Sequence, residues 1–312
     1  MRPTRPLPVA SVSSASKVRS IVTRLFAEPR VRLFVGAALI SLSPVWVKLV
    51  TVSPTTSGFY RVLIGGGALA VFLLVTGRRL ELSRRVWTNL FLGAVFFSLD
   101  LWFWHRSIQY VGPGLATLLA NFQVFVMMVA GAVVLREAPT RTQVIAVPIA
   151  LLGLGMIVGF DFGELSSDYR WGIAFGLLTA LSYSGYLLSL RASRAGSTHR
   201  LPSREVAVVS LVTAAILGVT ALLEGESLAL TTASDAGWLV AYGVLSHCLG
   251  WLFIASSLPE VSPTEGGIAL LLQPALSFGW DILFFDRPMT PAELAGAALA
   301  LFAIYLGAPR RS

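Results

Sequence analysis

The chain has 312 residues, of which 13% are charged and 55% hydrophobic, with a mean hydropathy of +0.75. Ordinary soluble domains carry about 25% charged residues, so a water-soluble fold is excluded and the lipid bilayer is the solvent for most of the chain. The formal net charge of +8 does not indicate a nucleic-acid partner, because the Arg residues sit in gaps between apolar runs rather than in a basic stripe with interleaved aromatics. The one cysteine, Cys248, lies inside an apolar run; neither a disulfide framework nor a zinc site can be built from it, and no metal or cofactor is expected.

In chain order, residues 1–30 are rich in Pro, Ser and Arg with Glu28 as their one acid. They read as a disordered basic cytoplasmic tail, with room for a short membrane-surface helix around Val18 to Phe26. No cleavable secretory pattern is present; an organellar transit peptide, equally rich in Arg and Ser, is the alternative. A crossing takes roughly 20 helical residues. The runs that fit are Val31 to Val50, Thr56 to Thr76, Trp87 to Gln109, Pro113 to Leu135, Thr142 to Gly159, Trp171 to Leu190, Arg204 to Leu223, Ala236 to Ser257, Pro263 to Phe285 and Pro291 to Ala308. The expected fold is therefore an all-α integral membrane protein with ten transmembrane helices. Strands of a membrane barrel would alternate polar and apolar residues, and these runs do not.

Loop charges set the direction. Arg78, Arg79, Arg84 and Arg85 follow the second run, Arg136 and Arg141 the fourth, Arg191, Arg194, Arg200 and Arg204 the sixth, and Arg310 and Arg311 the tenth. The alternate loops hold Asp161, Glu164, Asp168, Glu224, Glu226 and Asp235. Both termini are expected in the cytoplasm, in a plasma or inner cell membrane.

The sequence also repeats itself. Val111-Gly112-Pro113 leads to Gln123, and Val261-Ser262-Pro263 leads to Gln273, a shift of 263 − 113 = 150. An odd number of spans separates the copies, so they face opposite sides of the bilayer. The expected organisation is two inverted five-helix repeats, residues 31–160 and 169–308, the arrangement that carriers use for alternating access.

Polar groups deep in hydrocarbon are costly unless they face protein or a watery cavity, so they mark the candidate site. In the ninth span Gly266, Gln273, Ser277, Trp280 and Asp281 fall within about 100° of one another. In the fourth, Asn121 shares a face with Thr117, and Gln123 lies opposite. Each Gln stands near mid-membrane, either lining a cavity or bonding a neighbouring helix. The third span carries Asp100, Trp102, Trp104, His105 and Arg106. An Asp at that depth is either paired with a cation or carries a proton, and Lys48, Arg61 and Arg106 are the candidate partners. Trp102 fits an interfacial aromatic belt, whereas Trp104 shares the Asp100 side. Tyr183 and Tyr186 in the sixth span can stack on or hydrogen bond to a substrate. The substrate-lining set is Asp100, Trp104, Asn121, Gln123, Tyr183, Tyr186, Gln273, Ser277 and Asp281. Lys48, Arg61, His105 and Arg106 serve as charge partners or coupling groups. Pro44 should break the first helix and free carbonyls there. Small-residue pairs such as Gly172 with Gly176 and Gly155 with Gly159 predict close helix contacts.

These residues resemble the EamA family of the drug/metabolite transporter superfamily. The resemblance is carried by Ser43-Pro44-Val45-Trp46-Val47-Lys48, Phe59-Tyr60-Arg61, Val111-Gly112-Pro113-Gly114-Leu115-Ala116, Leu135-Arg136-Glu137-Ala138-Pro139-Thr140 and Val261-Ser262-Pro263. Asp286-Arg287-Pro288 is a shifted variant of the second-repeat turn. The resemblance implies a central cavity closed alternately by rocking helices and export of amino acids or related small metabolites. The expected partners are then a small-molecule substrate and the bilayer, with a homodimer left open. Two rivals differ in class. An intramembrane serine protease would need Ser184 within about 3.2 Å of His247, and Ser182 stands where that family has Gly. A channel or uncoupled facilitator would need a continuous polar pore.

Overall fold

The computed structural model describes residues 28–76, 83–134, 136, 138–159, 165–194, 202–257, 260–261 and 263–307. The expected basic tail over residues 1–27 and the loop charges Arg78, Arg79, Asp161, Glu164, Arg200, Arg310 and Arg311 lie outside the described residues. The regular elements are α1 (Pro29–Ser41), α2 (Ser43–Leu49), α3 (Pro54–Val75), α4 (Arg84–Asn121), α5 (Gln123–Val134), α6 (Arg141–Val158), α7 (Ser167–Ser193) and α8 (Ser203–Leu223), followed by α9 (Ala233–Ala241), a π-helix (Tyr242–Gly250), α10 (Trp251–Ser257), α11 (Pro263–Phe285) and α12 (Pro291–Gly307). Every regular element among the described residues is helical.

By length and composition, eight of these stretches can cross a membrane, where hydropathy led us to expect ten. The third and fourth expected spans share one 50-residue stretch, Arg84–Val133, and Pro291–Gly307 is apolar but only 17 residues long. The long stretch is not one straight rod. Gly112 breaks it with φ 82° and ψ 166°, a backbone that a side chain would strain. Pro113 removes the next amide donor. The Gly114 N–H instead donates to Asp281 Oδ2 at 3.0 Å, and Arg287 Nη1 donates to the Val111 carbonyl at 3.1 Å and to Asp281 Oδ2 at 3.2 Å.

The first span is broken where Pro44 predicted. α1 ends at Ser41 and α2 begins at Ser43. The Val45 N–H turns to the Leu42 carbonyl, which frees the Ser41 carbonyl to accept the Ser277 hydroxyl of α11 at 3.1 Å. Trp280 Nε1, one turn further along α11, donates to Ser41 Oγ at 2.9 Å.

Packing runs α4 on α7, α3 on α8, α6 on α12, and α1 on the π-helix and α10. Glycines set how closely these pairs approach. A Cβ on Gly153 would lie 2.7 Å from the Gly296 carbonyl oxygen, and one on Gly296 would lie 2.7 Å from that of Gly153. Gly36 of α1 and Gly250 of the π-helix face each other's carbonyls in the same reciprocal way, at 2.9 and 3.3 Å. Gly172 and Gly176 both meet α4, as their spacing predicted, whereas on α6 the close contact falls on Gly153, and Gly159 has open space around it.

The 150-residue offset recurs in backbone detail. Thr140 and Gln143 form a capping box at the start of α6, and Thr290 and Glu293 exchange the equivalent bonds at the start of α12 (290 − 140 = 150). Among the described residues, the non-glycine positions with positive φ are Arg136 at 57° and Asp286 at 47°, again 286 − 136 = 150 apart.

Gly153→Leu and Gly296→Leu should each lower stability by about 1–3 kcal/mol through overpacking, read as a lower unfolding midpoint of the purified protein. Gly67→Ala, with nothing within 4 Å of the added Cβ, should leave the midpoint unchanged. Tolerance of leucine at both reciprocal glycines would rule out this close contact.

Candidate functional site

One face of α3 reads Gly58, Arg61, Gly65, at helical spacings of three and four. Gly65 makes room for an imidazole of the π-helix, since a Cβ there would collide with His247 Cδ2, whereas one on Gly58 would meet His105 Cε1 of α4 at 3.4 Å, an ordinary contact. Between the two lies Arg61, 8% exposed. Its guanidinium is held between two rings, 5.4 Å from the centroid of Trp104 and 5.0 Å from that of Tyr242. Arg61 Nη1 donates to the Tyr242 hydroxyl at 2.9 Å, while Nε is buried with no hydrogen-bond partner among the described residues.

Asp100, five residues before His105 on α4 and likewise buried, lies within electrostatic reach of Arg61. Among the described residues no cation stands within ion-pair distance of its carboxyl. Tyr183 and Tyr186 approach from α7 with their rings 5.7 Å apart, and Tyr186 stacks on Phe97 at 4.7 Å. Phe97 also stacks on His247 at 6.0 Å. Arg61, Asp100, Trp104, His105, Tyr183 and Tyr186 thus gather in one buried cluster built from α3, α4, α7 and the π-helix. Charged groups here sit among rings, where a guanidinium and a carboxyl without an oppositely charged partner in contact among the described residues are costly unless a ligand or water meets them.

The remaining candidates lie elsewhere. Asn121 Nδ2 donates to the Thr117 carbonyl at 2.8 Å. Gln123 begins α5 after a break at Phe122, with its Oε1 buried and without a hydrogen-bond partner among the described residues. Gln273 is half-buried and precedes Pro274 within α11. The Ser277 hydroxyl is engaged by the Ser41 and Gln273 carbonyls, and Asp281 belongs to the clamp at Gly112. Lys48 is half-buried in the last turn of α2. The proposed Ser184–His247 dyad is absent: the Ser184 hydroxyl donates to the Ala180 carbonyl at 2.8 Å, and His247 Nε2 is bonded to Ser210 Oγ at 2.8 Å.

Tyr242 and the His247–Ser210 pair escaped sequence reasoning for a geometric reason. At 100° per residue Tyr242 and His247 are about 140° apart and seem to face different neighbours. The π-helix Tyr242–Gly250 closes bonds from i to i+5, which brings residues five apart towards one side. Such segments concentrate at functional sites.

Arg106 is not a partner of Asp100. Its Nη2 donates to both carboxylate oxygens of Glu224, at 2.9 and 3.0 Å, with its guanidinium 3.8 Å over the Trp102 ring. Glu224 also accepts from Thr55 Oγ1 at 2.6 Å and Trp102 Nε1 at 2.8 Å, which ties the start of α3 and the far part of α4 to the loop after α8. Partial burial pushes the Glu224 carboxyl upward, but the hydrogen bonds from Thr55, Trp102 and Arg106 outweigh it and hold Glu224 below its ordinary 4.5. A lowered folded pKa stabilises the protein above the unfolded value, and that contribution disappears as pH falls through the folded value. Unfolding midpoints taken from neutral pH to about pH 3 should therefore fall more for wild type than for Glu224→Gln. Parallel curves would rule out the linkage.

A family profile described as the EamA-like transporter family matches residues 31–159 and again residues 170–307. The chain is similar to a protein of Escherichia coli K12 named "Uncharacterized inner membrane transporter YhbE", 27% identical over 269 residues and covering 81% of each chain. It is also similar to an "Uncharacterized transporter" of Archaeoglobus fulgidus, 24% identical over 266 residues, with 83% of this chain and 90% of the relative aligned. A solved structure titled only "Crystal structure of protein" shares the fold, with a TM-score of 0.65 at 19% identity over 89% of this chain and 97% of that one. With most of its length covered by these two successive matches, this chain belongs to the EamA-like transporter family, as a multi-pass membrane protein.

Proposed function

We propose that the chain is a secondary active carrier that moves a small, carboxylate-bearing metabolite across the membrane by alternating access. In this reading residues 31–160 and 169–308 are two inverted five-helix repeats, which gives ten crossings with both termini in the cytoplasm. The Gly112–Pro113 break supplies the turn between the third and fourth crossings. The repeat reading is supported by the two family matches, by the capping boxes and positive-φ residues at an offset of 150, and by the reciprocal glycine contact between α6 and α12. Inverted repeats of this kind carry their substrate site at the interface between the halves, near the midplane.

The observation that carries the proposal is Arg61. A guanidinium buried to 8% exposure, clasped between Trp104 and Tyr242, spends one hydrogen bond on the protein and keeps a buried Nε without a partner. An anionic group that enters and leaves would meet that need transiently, which is what a carrier requires. Trp104, Tyr183, Tyr186 and Tyr242 provide apolar ring surface beside it. Asp100, with no cation in contact, is the coupling group: it holds a proton in one state and a charge in the other. Export of amino acids or related metabolites accords with the family.

In a thermal-shift screen against amino acids, nucleosides and vitamins, carboxylate-bearing compounds should raise the unfolding midpoint of wild type but not of Arg61→Gln. A stabilising set made up of uncharged compounds alone would count against the anchor. For the compound so found, Asp100→Asn in proteoliposomes should keep counterflow exchange and lose uptake driven by a pH gradient. Undiminished gradient-driven uptake would remove the coupling role.

A further inference from the structure

The hydrogen bonds that reach Arg61 run in one direction. His105 Nδ1 lies 2.7 Å from the Leu101 carbonyl, which can only accept, so the network assigns the imidazole proton to Nδ1. His105 Nε2 is then an acceptor, and the Tyr242 hydroxyl at 3.3 Å donates to it. With its proton committed, the Tyr242 oxygen presents its lone pairs to Arg61 Nη1 at 2.9 Å. The chain reads Arg61 to Tyr242 to His105 to the Leu101 carbonyl, each group giving one proton to the next. His105 packs against Gly58 of α3 in this position.

This arrangement decides which edge of the guanidinium is left over. Nη1 is occupied, and the Trp104 and Tyr242 rings flank the guanidinium. The opposite edge, formed by Nε and Nη2, is the one that meets a carboxylate with two parallel N–H···O bonds. Nε is buried, and of the three guanidinium nitrogens only Nη1 is hydrogen-bonded among the described residues. We propose that Tyr242 and His105 are positioning residues that grip Arg61 by Nη1 and so present its Nε/Nη2 edge to the carboxylate of the transported molecule. This rests on Arg61 being the anion anchor. Neither residue touches the ligand through the group that matters: Tyr242 acts through Arg61, and His105 through Tyr242.

The test uses the full chain in detergent, with phenylacetate as the probe because it joins one carboxylate to one ring, and phenylacetamide as its uncharged counterpart. Wild type should bind phenylacetate and not phenylacetamide, and Arg61→Gln should bind neither. Tyr242→Phe, which keeps the ring and loses the hydroxyl, should weaken phenylacetate about tenfold, as should His105→Leu. The double variant should be no weaker than either single one, because both cut the same chain. His105→Gln, whose side-chain oxygen can accept from Tyr242, should recover part of the loss. Wild-type affinity in Tyr242→Phe, or losses that add in the double variant, would overturn the proposal. A second readout does not depend on binding. In 15N-arginine NMR, with Arg61 identified by its disappearance in Arg61→Lys, guanidinium rotation should be restricted in wild type and freed in Tyr242→Phe. If no chain binds phenylacetate, the anchor reading fails while the NMR comparison still decides the positioning; equal restriction in both proteins overturns it.

Discussion

A chain that crosses hydrocarbon must satisfy its own backbone, since no water is present to accept or donate where a helix is interrupted. This chain interrupts its helices repeatedly, and at two of the breaks a side chain from elsewhere in sequence makes the repair. The Ser41 carbonyl, freed by the break before Pro44, is taken by Ser277 of α11. The Gly114 N–H, isolated by the Gly112–Pro113 turn, is taken by Asp281, and Arg287 caps the Val111 carbonyl. α11 thus repairs breaks in both α1–α2 and α4, which explains why its polar stripe contains residues that do not belong to the buried cluster. A polar residue on a membrane helix can serve the backbone of its neighbour as readily as a ligand.

The same economy of polar groups shapes the cluster around Arg61. Gly65 on α3 admits His247, and the neighbouring arginine lies beside two rings rather than paired with a carboxylate. Asp100 is held near enough to feel that charge but not to neutralise it by contact. A direct Arg61–Asp100 pair would be self-satisfied and would bind nothing further. Apart from each other, the two groups keep their need for partners, and this separates the arrangement from a structural ion pair. Arg106 illustrates the structural case: it donates to both carboxylate oxygens of Glu224 and lies over Trp102 at the end of the bundle, where solvent lowers the cost of the charges.

Much of the fold was legible in the sequence because its determinants are local. Apolar runs gave the helices to within a few residues, Pro44 marked a real break, and the Pro-to-Gln spacing pointed to an offset that reappears in the Thr140 and Thr290 caps. The site was legible in part. Arg61, Asp100, Trp104, His105, Tyr183 and Tyr186 stood out as polar or aromatic groups too deep to be accidental, and they come together. Ser277 and Asp281 stood out for the same reason and serve the backbone instead, a distinction that depth alone does not carry. Tyr242 was invisible because a helical wheel assumes 100° per residue, and the π-helix departs from it.

The sequence by itself determined which segments are buried in lipid, where they break, and that one half echoes the other, because hydropathy, proline and chain period act over a few residues. Tertiary structure alone decided which polar groups meet. That choice depends on how closely helices distant in sequence can approach, as at Gly65, and on a local change of helical pitch that turns Tyr242 towards Arg61. These are properties of pairs of segments, and no single stretch of sequence contains them.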